Sequence, residues 1–148
     1  MVGGASITNT AYDFVSNVTK RQEKHGTNTL EYGYTYDDRS RLLTVTASLN
    51  GATPITLKSN EYDEVGRLKK VNLHNNTTSS EYAYNIRGWL TGISGNKFSQ
   101  SLTYGSYNGN ITAMNWNANG SNHGYTFTYD DANRLTDAIH GSNHYTEK

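Results

Sequence analysis

The residues of this chain that could do chemistry are three acidic clusters and five histidines. Asp37-Asp38 and Asp130-Asp131 are paired carboxylates of the kind used for acid–base work or for holding calcium, and Asp63-Glu64 with Arg67 nearby has the composition of a small polar active site. His25, His74, His123, His140 and His144 offer imidazoles for a metal. Spacing argues against each. No calcium-loop pattern follows either aspartate pair, and the histidines fall in predicted loops or at the tail without metal-ligand spacing. The chain has no Ser/His/Asp signature, no phosphate-binding glycine loop and no cysteine, so thiolate sites and disulfides are excluded. These residues predict no catalytic, cofactor or metal site and no enzymatic activity.

The acidic clusters recur in a fixed frame, and that frame organises the chain. Tyr62-Asp63-Glu64-Val65-Gly66-Arg67-Leu68 is matched by Tyr36-Asp37-Asp38-Arg39-Ser40-Arg41-Leu42 and by Tyr129-Asp130-Asp131-Ala132-Asn133-Arg134-Leu135. Weaker copies are Tyr12-Asp13-Phe14-Val15-Ser16-Asn17-Val18 and Tyr84-Asn85-Ile86-Arg87-Gly88-Trp89-Leu90, and a sixth runs from Tyr104 to Ile111 with one residue inserted before Asn108-Gly109-Asn110-Ile111. The closing aliphatic residues, Val18, Leu42, Leu68, Leu90, Ile111 and Leu135, lie 21 to 26 residues apart. A unit of that length holds two strands and two turns, with no room for a helix.

The offsets describe a tight hairpin. An Asp or Asn directly after a strand starts a turn by bonding to backbone two residues on. Two free positions follow, and then Gly66, Gly88, Gly109, Asn133, Ser16 or Ser40 stands where a type I turn ends in a left-handed residue and a bulge. Arg41, Arg67 and Arg134 share the next offset, close to the aspartate of their own turn, with Asn17, Trp89 and Asn110 as substitutes. The closing aliphatic and the next apolar residue (Val45, Val71, Ile93, Met114) are three apart, so either both sheet faces are partly covered or a bulge resets the register.

Between the turns, Leu30, Tyr32, Tyr34 and Tyr36 alternate with Glu31, Gly33 and Thr35, the period-two pattern of a half-buried strand. Residues 1–11 are small and polar and read as a flexible segment, 12–148 as an array of about six repeats with the last truncated, and 117–122 as a soft loop. Leu, Ile, Val and Phe make up only about 17% of the 148 residues, and twelve tyrosines supply the missing apolar area. The fold class is therefore all-β, an antiparallel meander of about a dozen strands, and so wide a sheet must twist and curl with little enclosed core.

Thirteen basic residues balance thirteen acidic ones, which removes the electrostatic case for nucleic acid or an anionic membrane as partner. No apolar run reaches the length of a membrane span, and Met1-Val2-Gly3-Gly4-Ala5-Ser6 lacks the basic start and apolar centre of a signal peptide.

The repeated Tyr-Asp-x-x-Gly-Arg-Leu frame resembles the YD repeat of the RHS family over nearly the whole chain. The fourth and fifth copies resemble the repeats of Bacteroidetes-type members in particular. The resemblance implies strand-turn-strand units laid side by side into a spiralling sheet. In large members this sheet forms a hollow shell around a toxic C-terminal domain, as in bacterial toxin-complex proteins, and teneurins carry a related cell-surface barrel. It implies a structural role in the shell or surface stalk of a secreted or cell-surface bacterial protein. Its partners would be neighbouring repeats, self-association through exposed strand edges, and an encapsulated effector. The chain departs from full-length members in lacking their proline- and aspartate-containing core segment, since its one proline is Pro54. The alternative function is glycan binding, in which Trp89, Trp116 and Tyr107 stack on sugar rings. Against it, the same rings can serve as cross-strand packing pairs.

Overall fold

The computed structural model of the chain describes residues 6–105, 107–141 and 143–146. Every regular element among them is a β-strand, and the chain forms two compact units, Met1–Ser79 and Ser80–Lys148. The first unit carries β1 (Ser6–Tyr12), β2 (Val18–His25), β3 (Asn28–Tyr36), β4 (Leu42–Leu49), β5 (Ile55–Tyr62) and β6 (Leu68–Leu73). β7 (Thr78–Tyr84) begins at the unit boundary. It is followed in the second unit by β8 (Leu90–Gly95), β9 (Phe98–Tyr104), β10 (Ile111–Ala118), β11 (Ser121–Tyr129), β12 (Leu135–His140) and β13 (Asn143–Thr146). Within each unit the strands pair antiparallel in chain order, an all-β meander.

The three-residue spacing between apolar positions has a bulge as its cause. Tyr36 pairs with Leu42, yet Thr35 pairs with Thr44, so Leu43 is skipped and Val45 returns to the tyrosine face opposite Tyr34. The same shift recurs at Tyr12, Tyr62, Tyr84, Ile111 and Tyr129. One face of the first unit thereby collects Tyr32, Tyr34, Tyr36, Leu42, Val45, Ala47, Tyr62, Leu68 and Val71. The core is thin: among the described residues only Ala47 (9% exposed) and Asn60 (7%) are buried, and no large side chain is fully enclosed. With so little apolar area removed from water, hydrogen bonds made by the turns must carry an unusual share of specificity.

Three expectations change. Residues 1–5 lie outside the described residues, but Ser6 to Ala11 form most of β1, paired with β2 from Ser6↔His25 to Ala11↔Lys20. That strand has no hydrophobic alternation of its own, and its partner defines it. The soft loop 117–122 is a two-residue hairpin turn, Asn119-Gly120, both left-handed (φ 51° and 83°), so β10 and β11 continue to its edges. His25, His123, His140 and the backbone of His144 lie in strands rather than loops, and only His74 sits in a turn.

Candidate functional site

The repeated turn is where the chain concentrates its charged and polar side chains. In the third turn, Asp63 N–H donates to Arg67 O (2.9 Å) and Gly66 N–H donates to Asp63 O (2.9 Å). Both oxygens of the Asp63 carboxylate are engaged. Oδ1 accepts from the backbone N–H of Val65 (3.2 Å) and Arg67 (2.8 Å), and Oδ2 accepts from Arg67 Nε (2.6 Å). Asp37 repeats this with Arg39 and Arg41, and Asp130 with Ala132 and Arg134. Asp13 does so with Val15 and Asn17, whose side-chain amide replaces the guanidinium. In the fourth turn Asn85 Oδ1 accepts from the N–H groups of Arg87 and Trp89, both at 3.0 Å.

These bonds hold the four aspartates below the ordinary carboxylate value of 3.8. For Asp37 and Asp130 the leading cause is the backbone N–H of Arg41 or Arg134. For Asp63 and Asp13 partial desolvation is the largest single influence and pushes upward, and the combined hydrogen bonds from Arg67 and Val65, or Asn17 and Val15, outweigh it. A carboxylate kept ionised with its lone pairs committed to its own turn is poorly placed to take a proton from a substrate.

The residue that ends each turn is left-handed in all six: Ser16 (φ 70°), Ser40 (58°), Gly66 (94°), Gly88 (81°), Gly109 (90°) and Asn133 (63°). At Gly66 two constraints coincide, because a Cβ there would also lie 2.9 Å from Nη1 of Arg41. Arg41 reaches forward from the preceding turn, with its guanidinium 4.5 Å from the centre of the Tyr62 ring. This forward reach is general within each unit. Asn17 Nδ2 donates to Ser40 Oγ (3.0 Å), Trp89 lies against Gly109 and 5.0 Å from the Tyr104 ring, and Asn110 Nδ2 donates to Asn133 Oδ1 (3.1 Å).

The tyrosine that opens the frame has a role that the sequence analysis missed. The ladder from β4 to β5 stops at Thr44↔Ser59, leaving the carbonyl of Leu42 beyond it, and Tyr62 Oη donates to that oxygen at 3.0 Å. Tyr36 reaches Val18 O (2.8 Å), Tyr104 reaches Leu90 O (2.7 Å) and Tyr129 reaches Ile111 O (2.8 Å), each at a ladder that likewise stops short. Within each unit these four turns are thus bolted to the closing residue of the one before. Burial, with smaller contributions from Tyr34 and Asp13, raises the Tyr36 hydroxyl above 10.0, so it remains a donor. One signal was available: all six frames open with Tyr and none with Phe, although Phe occurs elsewhere. Asn60 was missed too. It donates from Nδ2 to Leu42 O (2.8 Å), a second cap on the same carbonyl.

The other candidate residues separate. Trp116 is half-buried in an aromatic row with His123 (5.2 Å), Tyr125 (5.9 Å) and His140 (6.2 Å), its ring near-parallel to those of His123 and Tyr125. Trp89 packs on the next turn as described, whereas Tyr107 is 84% exposed. His123 and His140 are stacked at 6.1 Å, and among the described residues no group of three metal-binding side chains forms. The second unit has a shallow hollow of about 420 Å³ bordered by Gln100, Asn115, Trp116 and His123, and none of the turn carboxylates lines it.

No family model and no curated protein matches the chain. Solved structures do. The chain is similar to part of the crystal structure of TcdB2-TccC3-Cdc42, with a TM-score of 0.72 and 21% identity over 88% of this chain and 7% of that one. It is also similar to part of the Photorhabdus luminescens Tc holotoxin pore carrying a TccC3 mutation, with a TM-score of 0.59 and 18% identity over 94% of this chain and 9% of that one. The likeness is one of fold, and the chain spans less than a tenth of either neighbour's length.

Proposed function

We propose that this chain is a structural segment of an RHS-type β-shell, in which YD turns join one hairpin to the next so that a sheet can extend without a hydrophobic core. In this reading the parent is a bacterial secreted or toxin-delivery protein. Its partners are further repeats of the same array and an effector enclosed by the shell. The observation that carries the reading is the engagement of the turn side chains. The aspartates and arginines of the frame, and four of its tyrosines, bond within their own turn or to a neighbouring one, which is what an architectural repeat requires. The likeness of fold to segments of the Tc assemblies supports the same conclusion. Small-angle scattering of the protein as naturally translated tests it. The expected profile is that of a hollow particle with protein density inside, and a solid globule or a thin rod would contradict the shell.

A further inference from the structure

The fourth turn breaks the charge pattern of the others. Where the third turn carries Asp63, Glu64 and Arg67, the fourth has Asn85, Ile86 and Trp89 at the same offsets, and its one charge is Arg87. Arg41, Arg67 and Arg134 each bond the aspartate of their own turn. Arg87 has no carboxylate to bond: its guanidinium lies 4.7 Å from the centre of the Tyr107 ring and 5.5 Å from that of Trp89, and its side chain makes no hydrogen bond or ion pair among the described residues. Two aromatic rings therefore hold a planar cation at the surface with its donors turned to solvent, a geometry that favours bidentate capture of a carboxylate. Beside it, Ile86 is 99% exposed and Tyr107 84%, so the patch combines a pre-positioned arginine with bare aliphatic and aromatic surface. Arg, Tyr and Trp are the residue types that dominate binding hot spots.

We propose that Ile86, Arg87, Trp89 and Tyr107 form a docking surface for an acidic segment of a partner polypeptide. A carboxylate would sit on Arg87, and an adjacent apolar side chain would cover Ile86 and Tyr107. Charge complementarity selects this occupant. A nucleic acid or an anionic membrane calls for several clustered cations, and this turn offers one. The proposal goes beyond the shell reading and does not depend on it.

The test uses the whole chain with Trp116→Phe, which leaves Trp89 as the sole tryptophan reporter beside Arg87. The probe is an acetylated, amidated peptide of sequence GDFDLG. A saturable change in Trp89 emission is expected, weakened about tenfold or more by Arg87→Met, weakened less by Arg87→Lys, and absent with the peptide GKFKLG. No saturable change, an equal response in the Arg87→Met variant, or the same response to sodium sulfate at equal concentration would overturn the proposal. Circular dichroism of each variant confirms that the sheet is intact.

Discussion

The third and fifth turns occupy equivalent places in the repeat and are held in different ways. The third is pinned internally, with Asp63 bonded to Arg67 and to two backbone N–H groups. The fifth has Gly105 where the aspartate would be and one residue more, and its closing bond, Gly105 N–H to Asn110 O, is a long 3.4 Å. Its neighbours compensate: Trp89 lies against Gly109 from the preceding turn, and Asn108 and Asn110 donate to Asn133 Oδ1 of the following one. Two features survive in both turns, the left-handed residue (Gly66 and Gly109) and the tyrosine hydroxyl on the previous closing carbonyl (Tyr62 on Leu42, Tyr104 on Leu90). The internal carboxylate is therefore one means of shaping a turn, whereas the tyrosine bond is what joins repeats.

This contrast orders the expected effects. Gly66→Val should be the most damaging single change, destabilising by about 2–3 kcal/mol, since it combines a left-handed β-branched residue with displacement of the Arg41 guanidinium from Asp37 and the Tyr62 ring. Gly109→Val should cost less, about 1–2 kcal/mol, because its Cβ would meet the Trp89 ring at an ordinary 3.4 Å. Chemical denaturation of the two variants checks the order, and equal losses would remove the Arg41 contribution.

Next in size is removal of a hydroxyl. Tyr104→Phe leaves the Leu90 carbonyl without its donor and should destabilise by about 1–2 kcal/mol. Tyr62→Phe should do less, about 0.5 kcal/mol, because Asn60 still donates to Leu42 O. If the two variants melt alike, Asn60 is not the second cap that its geometry indicates.

The smallest effects belong to the carboxylates. Asp13, Asp37, Asp63 and Asp130 are depressed below 3.8 in the folded chain, so their contribution is present above that value and is lost as pH falls through their folded values. Acid should therefore destabilise the chain only below about pH 4. Asp63→Asn, which keeps the Oδ1 acceptor as Asn85 does, should be mild at neutral pH and should flatten part of that acid limb. A stability that falls steadily from neutral pH would point to other titrating groups.

Much of the turn could be read in advance because its chemistry is local. An Asp after a strand, two free positions and a Gly, Asn or Ser imply a bonded carboxylate and a left-handed residue without knowledge of any other strand. What could not be read depends on partners. The three-residue step from Leu42 to Val45 fitted a two-faced sheet as well as a bulge, and only the pairing with Tyr36 and Tyr34 separates them. The hydroxyl of Tyr62 acts on a residue twenty positions earlier, beyond the reach of any motif window. Asn119-Gly120 was a legible hairpin signal hidden by its Asn- and Ser-rich surroundings. Trp116 looked like a platform for a ligand because the sequence places His123, Tyr125 and His140 on other strands and does not show their rings meeting it.

The central claim is that tyrosine hydroxyls fasten neighbouring turns together within each unit, and the most direct measurement is solvent exchange of those protons by NMR. Hydroxyl protons of Tyr36, Tyr62, Tyr104 and Tyr129 should be slowed and observable, with through-space contacts to the strands carrying Val18, Leu42, Leu90 and Ile111. That of Tyr107, on an exposed ring, should exchange with water too fast to see. Uniformly fast exchange of all of these hydroxyls would contradict the account.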